Sequence, residues 1–423
     1  MLLGQDFFVK TGDRMETRLS SLPWVHTNYL MIRLLLFGAA LFILSSLYVT
    51  VPLLPVFVDQ FHIGAGKAAL SGSAFSLFFA TGCLVYGPLS SRVGRKRTMV
   101  IGLAVLTVAT ACVGYATSFE LLVLLRALQG AAAATFSPVA LTYAGETFPP
   151  EQRVTAIGFI SSGFLMAGIF GQVWASSLAS LVGWPWVFKG LAVLYLLVLL
   201  LLALWLPSSP VQPGLARQGQ MKGTPRWYVV LSRRNLLLCY GITLTILLSF
   251  VGMYSVLGSL LSQAPYSLGD MDILGIRSLG MVGMVLSFYA GGMCRKWGRL
   301  QVLRAGLAGS LGALTVMSLV QHLVLYVTMS VVFVAGIAVV VPALISLIGE
   351  LGNENRGVAT SVYTFVLFAG ASVGPILAAT LLGSGQTALL LLVFAGILMA
   401  AFACSLWVRV SEEREEGLSQ TVK

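Results

Sequence analysis

Two short polar stretches interrupt a chain that is otherwise strongly apolar. The stretch GPLSSRVGRKR (Gly87–Arg97) combines two glycines with four basic residues, and RALQG (Arg126–Gly130) places an arginine and a glutamine one helical turn apart. Arginine can bridge carboxylates, cap helix carbonyls or bind an anionic group. An arginine inside an apolar run is costly, so it normally faces the protein interior or a wet cavity. These residue types predict ion pairing and solute binding.

The sequence contains no comparable motif for enzymatic catalysis. We find no nucleophile beside a base, no cluster of metal ligands and no Gly-x-x-x-x-Gly-Lys-Ser/Thr loop for phosphates. The five cysteines are scattered and show no C-x-x-C spacing. The sequence therefore predicts a protein that is not an enzyme and that holds neither a metal nor an organic cofactor.

The composition indicates that most of the surface faces lipid. Of 423 residues, 57% are hydrophobic and only 10% are charged, whereas a soluble protein carries roughly a quarter charged residues. Runs of about 20 apolar residues suffice to span a bilayer as helices. Twelve such runs are predicted, near 31–57, 68–89, 98–116, 119–144, 153–182, 185–206, 236–262, 273–293, 301–320, 323–349, 357–383 and 386–409; they are called spans 1 to 12 below.

The net charge of +11 is distributed in a way that argues against nucleic-acid binding. Basic residues concentrate in alternate loops, around the start of span 1 and between spans 2 and 3, 6 and 7, and 8 and 9. The other set of loops carries only Lys67, Lys189 and Arg277. This bias sets orientation by the positive-inside rule. We therefore expect a multi-pass protein of the cytoplasmic membrane with both termini in the cytoplasm.

The second half of the chain repeats features of the first. Five residue pairs lie 204 positions apart: Gly87 and Gly291, Gly94 and Gly298, Arg95 and Arg299, Pro138 and Pro342, and Glu146 and Glu350. After a one-residue deletion the offset becomes 203, which links Arg153 to Arg356 and Gly171 to Gly374. A duplicated six-span unit follows. The predicted organisation is an N-terminal tail (1–30), a first bundle (31–206), a cytoplasmic linker (207–235), a second bundle (236–409) and a C-terminal tail (410–423).

Both polar stretches match signatures of one transporter family. Gly87–Arg97 resembles the motif that the major facilitator superfamily carries between spans 2 and 3, and Arg126–Gly130 resembles its Arg-x-x-Gln-Gly motif. The chain is most similar to the twelve-span bacterial drug:proton antiporters of that family. The resemblance implies an all-α integral membrane fold with two pseudo-symmetric six-helix bundles. It also implies a monomer in lipid that moves a small solute by rocker-switch motion, driven by a proton gradient.

The resemblance assigns gating to the glycines and charges at the cytoplasmic helix ends. The residues concerned are Gly87, Arg92, Gly94, Arg95, Glu146, Arg153, Gly291, Gly298, Arg299, Glu350 and Arg356. One departure is informative, since Ser91 replaces the aspartate that is usual in the family and should loosen the gate. We expect Glu146 to compensate by pairing with Arg92 or Arg153, and Glu350 to act with Arg356.

Candidate substrate ligands are polar or aromatic residues near mid-span. They are Arg126, Gln129, Tyr48, Gln172, Tyr254, Tyr363 and Phe365. The resemblance implies a role for Arg126 in proton coupling, and Asp59, at the outer end of span 1, is the acid nearest to a buried helix end. Because no acid falls at mid-membrane, a cavity with one arginine should prefer neutral or anionic solutes.

Direction and cargo have competing interpretations. Efflux of a drug-like compound or metabolite by proton antiport follows from the resemblance. Uptake or uncoupled diffusion of a sugar or organic acid is favoured by Ser91, by the missing mid-membrane acid and by span 5, where GFLMAGIFGQ (Gly163–Gln172) lacks the proline of exporters. A sensor that binds without transporting would need a soluble appendage, which the short tails do not offer.

Overall fold

The regular structure in the described part of the chain is helical. The computed structural model describes residues 29–208, 227–263, 266–320, 322–382 and 387–408. Eleven helices there are long and apolar enough to cross a membrane, and one shorter apolar helix precedes them. The all-α membrane fold is therefore confirmed. The predicted tails and most of the predicted linker fall outside the described residues, so the domain boundaries stay predictions.

The helices follow the predicted spans with shifted ends. Spans 1, 4 and 8 are each built from two helices, and the others are continuous. The bounds are Tyr29–Ser45 and Leu54–Phe61 (span 1), Leu70–Val93 after the short Ala65–Ala68 (2), Arg95–Val113 (3), Phe119–Ala133 and Ser137–Thr147 (4), Pro150–Val182 (5), Trp184–Trp205 (6), Arg234–Ser262 after Trp227–Ser232 (7), Asp270–Met284 and Leu286–Trp297 (8), Arg299–Leu319 (9), Leu323–Gly352 (10), Arg356–Leu382 (11) and Thr387–Trp407 (12).

Two tight turns show why glycine recurs at the 204-residue offset. Gly94 joins spans 2 and 3 with φ of +102°, and Gly298 joins spans 8 and 9 with φ of +79°. Residues with a Cβ atom rarely adopt this conformation, so only glycine reverses the chain here without strain. The first residue after each turn is an arginine, Arg95 or Arg299. The two arginines therefore occupy equivalent positions, at the first residue of span 3 and of span 9.

The same neighbours pack together in both halves. Span 1 packs on span 5 as span 7 packs on span 11, and span 3 packs on span 6 as span 9 packs on span 12. Spans 2 and 4 correspond in the same way to spans 8 and 10. Between the halves, span 2 packs on span 11 while span 8 packs on span 5. This correspondence is what a duplicated six-helix unit with a pseudo-twofold axis produces.

Side chains on the outside of the bundle suit a lipid environment. Leu77, Leu181 and Leu204 lie in or at the ends of apolar helices, and their side chains are 62%, 80% and 74% exposed. Water would penalise so much exposed apolar surface, whereas hydrocarbon does not. Spans 5 and 10 are instead mostly buried, which places them at the centre of the bundle.

The two halves meet closely near one end of the bundle, called here the basic end, where residues 93–95, 147–150 and 297–299 form the turns. A Cβ atom on Gly87 would come within 2.7 Å of the Gly357 carbonyl oxygen, and one on Gly291 within 2.7 Å of the Thr155 backbone nitrogen. Such distances are too short for real contacts, so both glycines allow backbones to touch. The predicted gate glycines thus lie at equivalent crossings of the halves.

The Gly291 crossing allows a matched test. Gly291→Ala should weaken the packing of span 8 on span 5 and lower the melting temperature, because the new methyl group has no room. Gly292→Ala is the control, since its Cβ would meet only the Arg295 Nη2 atom at 3.9 Å. Alanine also favours a helix over glycine, so the control should be neutral or stabilising. Equal melting temperatures for the two purified variants would contradict the close crossing.

Candidate substrate cavity

A cavity lies between the two halves at the centre of the bundle. Its lining comes from spans 1, 5, 7, 8, 10 and 11, and most of it is apolar. The lining residues are Tyr48, Ser161, Phe164, Leu165, Gly168, Ile169, Gln172, Leu247, Phe250, Val251, Tyr254, Arg277, Val341, Leu367 and Phe368. A concave apolar site with a few convergent polar groups is the usual form of a small-molecule site.

The break in span 1 brings Tyr48 to the cavity. The first helix ends at Ser45, turns occupy residues 46–53, and the second helix begins at Leu54. Unwound backbone at membrane depth is tolerated where protein or a cavity surrounds it. The Tyr48 ring lies beside Gly168, where a Cβ atom would be 3.6 Å away. The small residue on span 5 therefore leaves room for the ring.

Arg277 is the charged residue that the structure places in the cavity lining. Its Nη2 atom donates to the Tyr254 carbonyl oxygen at 2.9 Å, and the Tyr254 hydroxyl donates back to the Arg277 carbonyl at 3.4 Å. These bonds hold spans 7 and 8 together and orient the guanidinium. Gln172 donates to the Gly168 carbonyl at 2.9 Å, which leaves its amide oxygen available to accept a hydrogen bond.

The candidates named from sequence divide into two groups. Tyr48, Gln172 and Tyr254 line the cavity. Four others are not among its lining residues, and their part in substrate binding stays a prediction: Arg126, Gln129, Tyr363 and Phe365. Arg126 and Gln129 are fully buried, and they face the inside of the first bundle rather than the space between the halves.

Arg126 fixes the broken first span. Its guanidinium donates to the Ser46 carbonyl at 2.9 Å, to the Ser46 hydroxyl at 3.2 Å and to the Ser71 carbonyl at 3.0 Å. A fourth bond, of 2.9 Å, reaches the Gln129 amide oxygen, and Gln129 in turn donates to Thr110 at 2.7 Å. The Phe75 ring lies 4.5 Å from the guanidinium carbon. Arg126 thus satisfies the Ser46 carbonyl, which the break in span 1 frees from helical bonding.

Helical register and depth explain why the two span 11 candidates do not line this cavity. Leu367 and Phe368 are the residues of this helix that line the cavity. Tyr363 precedes Leu367 by one turn, so it lies on nearly the same face but closer to the basic end, where it is fully buried. Phe365 precedes Leu367 by two residues, which turns it about 200° around the helix.

The cavity lining contains no carboxylate among the described residues. Asp59, the proposed coupling acid, is exposed on the helix Leu54–Phe61 and makes no hydrogen bond or ion pair within the described chain. Glu120 pairs with Lys67 at 2.9 Å on the exposed surface. The geometry therefore gives Asp59 no contact with the cavity, and its coupling role is not supported by position.

The charges at the basic end form two equivalent ion pairs. Arg95 pairs with Glu146 at 2.9 Å, and Arg299 pairs with Glu350. Each pair joins the first residue of one span to the end of the next, since spans 3 and 4, like spans 9 and 10, are antiparallel neighbours. Arg95 is buried and also donates to the Gly87 carbonyl at 2.9 Å, so it ties together the ends of spans 2, 3 and 4.

The pairing expected for Glu146 and Glu350 is therefore wrong. Arg92 is exposed and forms no hydrogen bond or ion pair within the described chain. Arg153 donates to the Phe148 carbonyl at 3.0 Å.

Arg356 donates to the carbonyls of Gly349 at 3.0 Å and Gly145 at 2.7 Å. Arg356 thus caps helix ends in both halves instead of pairing with a carboxylate.

Further hydrogen bonds cross between the halves near the basic end. The hydroxyls of Thr142 and Thr360 are 2.8 Å apart, and the Ser287 hydroxyl donates to the Gly158 carbonyl at 3.0 Å. Arg295, which occupies the place equivalent to Ser91, donates to the Glu151 carbonyl at 2.6 Å. Ser91 itself bonds within its own helix, to the Pro88 carbonyl. The bundle is therefore closed at the basic end.

Two polar residues of the cavity were not among the candidates named from sequence. Arg277 is expected in a loop, yet it is the eighth residue of the helix Asp270–Met284. An arginine two turns inside a membrane helix was the signal that could have found it. Ser161 lines the cavity, and its buried hydroxyl has no hydrogen-bond partner in the described chain. Nothing in the local sequence distinguishes Ser161 from Ser162.

Comparison with known proteins identifies the family to which the chain belongs. The Major Facilitator Superfamily profile matches residues 36–351 and 271–423. An uncharacterized transporter of Buchnera aphidicola (subsp. Schizaphis graminum) is 28% identical over 82% of this chain and 83% of its own. The uncharacterized MFS-type transporter YybF of Bacillus subtilis is 28% identical over 80% and 83%. The crystal structure of the human organic anion transporter MFSD10 superposes with a TM-score of 0.73 at 17% identity, covering 89% of this chain and 99% of that one. The chain therefore belongs to the major facilitator superfamily of multi-pass membrane transporters.

Proposed function

We propose that this protein is a secondary active transporter that carries a small solute through the central cavity by rocker-switch motion. The observation that carries the proposal is the cavity between two equivalent halves, with contacts between the halves concentrated at the basic end. A rocking motion would separate the crossings at Gly87 and Gly291 while it closes the opposite end. Those contacts are hydrogen bonds and small-residue packing, which can form and break without unfolding either half.

The proposed direction is efflux by proton antiport, with a drug-like compound or metabolite as cargo. Its support is the resemblance of Gly87–Arg97 and Arg126–Gly130 to the motifs of bacterial drug:proton antiporters. By the positive-inside rule the basic end faces the cytoplasm. The structure then corresponds to a conformation closed to the cytoplasm. Both termini would lie on the cytoplasmic side.

A second candidate is uptake or uncoupled diffusion of a neutral or anionic metabolite. One observation favours it, namely that no carboxylate of the described chain lines the cavity. A titrating carboxylate near the substrate is the usual means of coupling a solute to protons. The two candidates differ in whether substrate movement is accompanied by proton movement, and that difference is measurable.

Transport should stop when the cavity is filled by Gly168→Trp. Gly168 and the neighbouring Tyr48 ring both line the cavity. An indole at position 168 must therefore occupy the space that a solute needs. The matched control is Gly241→Trp, because Gly241 is exposed on span 7 and a Cβ atom added to it would have no heavy atom within 4 Å. Uptake of labelled solutes into proteoliposomes that contain a pH-sensitive dye is the measurement.

Each result of this measurement has a defined meaning. Solute flux lost in Gly168→Trp but kept in Gly241→Trp supports transport through the cavity. Flux that continues in Gly168→Trp contradicts it. Dye signals that follow the solute support antiport, whereas solute equilibration with no dye signal favours the second candidate.

A further inference from the structure

We propose that the cavity takes uncharged aromatic solutes that carry a carbonyl group, and that the Ser161 hydroxyl recognises the carbonyl oxygen. The inference rests on the proposed function, because it names the class of solute and a specificity-determining residue for the same cavity. It narrows the preference for neutral or anionic solutes that the sequence predicts, and it depends on a residue that is not among the candidates named there.

The Ser161 hydroxyl is a buried donor that the protein leaves without a partner. Ser161 is fully buried and lines the cavity, and its hydroxyl has no hydrogen-bond partner in the described chain. Serines inside helices can donate to the carbonyl four residues earlier, as Ser255 does to Val251 at 3.0 Å. Leaving a buried donor unsatisfied costs free energy. A ligand that places an acceptor beside Ser161 therefore gains affinity.

Neighbouring and equivalent hydroxyls are satisfied within the protein. Ser162 donates to the Met284 carbonyl at 3.3 Å. Thr364 corresponds to Ser161 at the 203-residue offset, and it donates to the Thr360 carbonyl at 2.8 Å. Of these three hydroxyls, the one that faces the cavity is therefore the one left unsatisfied.

Ser161 lies at the end of the cavity that is nearer the basic end. It is eleven residues from the first residue of span 5, and Val341 and Leu367 are likewise eleven residues from the ends of spans 10 and 11 near the basic end. Eleven residues of helix rise about 16 Å, so the three residues lie at a similar depth. Because Val341 and Leu367 are apolar, Ser161 supplies a hydrogen bond among apolar neighbours at this depth.

A carbonyl oxygen is the best partner for such a donor. It accepts the serine proton and brings no proton that needs an acceptor of its own. A ligand hydroxyl would bring a second proton, and two hydroxyls that share one hydrogen bond leave one proton unsatisfied. Val341 and Leu367 offer no side-chain acceptor for that proton. The site therefore favours ketones, esters and tertiary amides over alcohols.

The lining favours a solute without charge. No carboxylate of the described chain lines the cavity, so an ammonium group would lack a counter-ion there. Arg277 is not free to serve an anion, because it is engaged within the protein by the Tyr254 carbonyl at 2.9 Å and by a further interaction. Moving an ion out of water without an available partner is costly. Ions of both signs should therefore bind more weakly than a neutral solute.

The body of the solute is expected to be aromatic. Phe164, Phe250 and Phe368 line the cavity. The Phe250 ring packs edge-on against Tyr254, with ring centroids 5.2 Å apart. The Phe368 ring packs in the same manner against Phe79, with centroids 4.7 Å apart. Rings held in this way can contact an aromatic ring of the solute edge-on or with an offset face.

Four compounds of similar size test the proposal. They are 5-phenylpentan-2-one, its isostere 2-methyl-5-phenylpent-1-ene, 5-phenylpentan-2-amine and 5-phenylpentanoate. The isostere has a CH2 group in place of the carbonyl oxygen, and the last two compounds carry a positive and a negative charge. Binding to the purified full-length protein in nanodiscs is measured by isothermal titration calorimetry, with protein-free nanodiscs as the blank. The wild-type protein should bind the ketone at least about tenfold more tightly than either ion.

Serine variants show whether Ser161 binds the carbonyl group. Ser161→Ala should weaken binding of the ketone by about fivefold, as the loss of one uncharged hydrogen bond implies, and should change binding of the isostere by less than about twofold. Ser162→Ala is the matched control, because its hydroxyl bonds to Met284 outside the cavity lining, and it should change neither affinity. Ser161→Cys keeps nearly the same size with a weak donor, so it provides the same comparison if Ser161→Ala fails to fold.

Other outcomes overturn the inference. Tighter binding of the amine or the carboxylate by the wild-type protein excludes selection for uncharged solutes, and so does a failure of the ketone to bind. Equal changes for the ketone and its isostere in Ser161→Ala mean that Ser161 does not bind the carbonyl oxygen. An equal loss of ketone affinity in Ser162→Ala means that the effect is structural. None of these results affects the proposed function, which depends on whether Gly168→Trp stops the flux of any transported solute.

Discussion

A disulfide between Thr142→Cys and Thr360→Cys should reduce transport by about tenfold or more, and a reductant should restore it. The two hydroxyls are 2.8 Å apart and buried, on spans 4 and 11 of different halves. Sulfurs in their place would lie near bonding distance. A rocker-switch cycle must open the basic end, so a covalent bond there should stop the cycle in the present conformation. The measurement is solute flux in proteoliposomes before and after reduction.

The cross-link needs a background without the five native cysteines, of which Cys83, Cys239 and Cys294 are buried and are best replaced by alanine. Each single cysteine variant, treated with the same oxidant, is the matched control and should keep its flux. Retained flux in a fully cross-linked sample would mean that spans 4 and 11 do not separate during transport. The rocker-switch proposal would then be untenable at the basic end.

Arg126→Ala should destabilise the protein strongly, by on the order of 3–5 kcal/mol. The substitution removes four hydrogen bonds and leaves the carbonyls of Ser46 and Ser71 without their side-chain donor in a buried site. It also leaves a void beside Phe75. Removing a buried charge relieves part of the desolvation cost, but its hydrogen bonds already offset that cost in the native protein. Thermal unfolding of the purified variant is the measurement.

Two variants separate a structural role of Arg126 from a coupling role. Arg126→Lys keeps the charge but cannot reach Ser46 and Ser71 together with one ammonium group, so it should also lower the melting temperature. Arg92→Ala removes an exposed arginine without a partner in the described chain and should change little. A native melting temperature for Arg126→Ala combined with lost proton coupling would instead support the coupling role that the family resemblance implies.

The position of Arg126 also explains how a buried residue can affect the cavity without lining it. Arg126 bonds to Ser46, and Tyr48 follows only two residues later in the same turn. Displacing Ser46 would therefore move the Tyr48 ring away from Gly168. We expect Arg126 variants that fold to alter solute affinity through Tyr48, which makes Arg126 a positioning residue.

The general architecture could be predicted from hydropathy and from repeated residues. Twelve apolar runs predict membrane helices because a bilayer admits few other structures. The 204-residue offset predicts two equivalent halves, and the equivalent turns at Gly94 and Gly298 follow directly from the need for positive φ. Composition also indicated which end is basic. These conclusions depend on solvent and local backbone geometry, which act on each segment independently of its neighbours.

The tertiary structure alone decided which polar residues face the cavity. Arg126 and Arg277 are both arginines inside apolar helices. Arg126 bonds to the broken part of span 1 inside the first bundle, whereas Arg277 lines the cavity. The partner of Glu146 likewise depended on which of Arg92, Arg95 and Arg153 the packing of spans 3 and 4 brings close. A residue's type determines what it can bind. The rotation and depth of its helix, set by many weak contacts with other helices, determine what it meets.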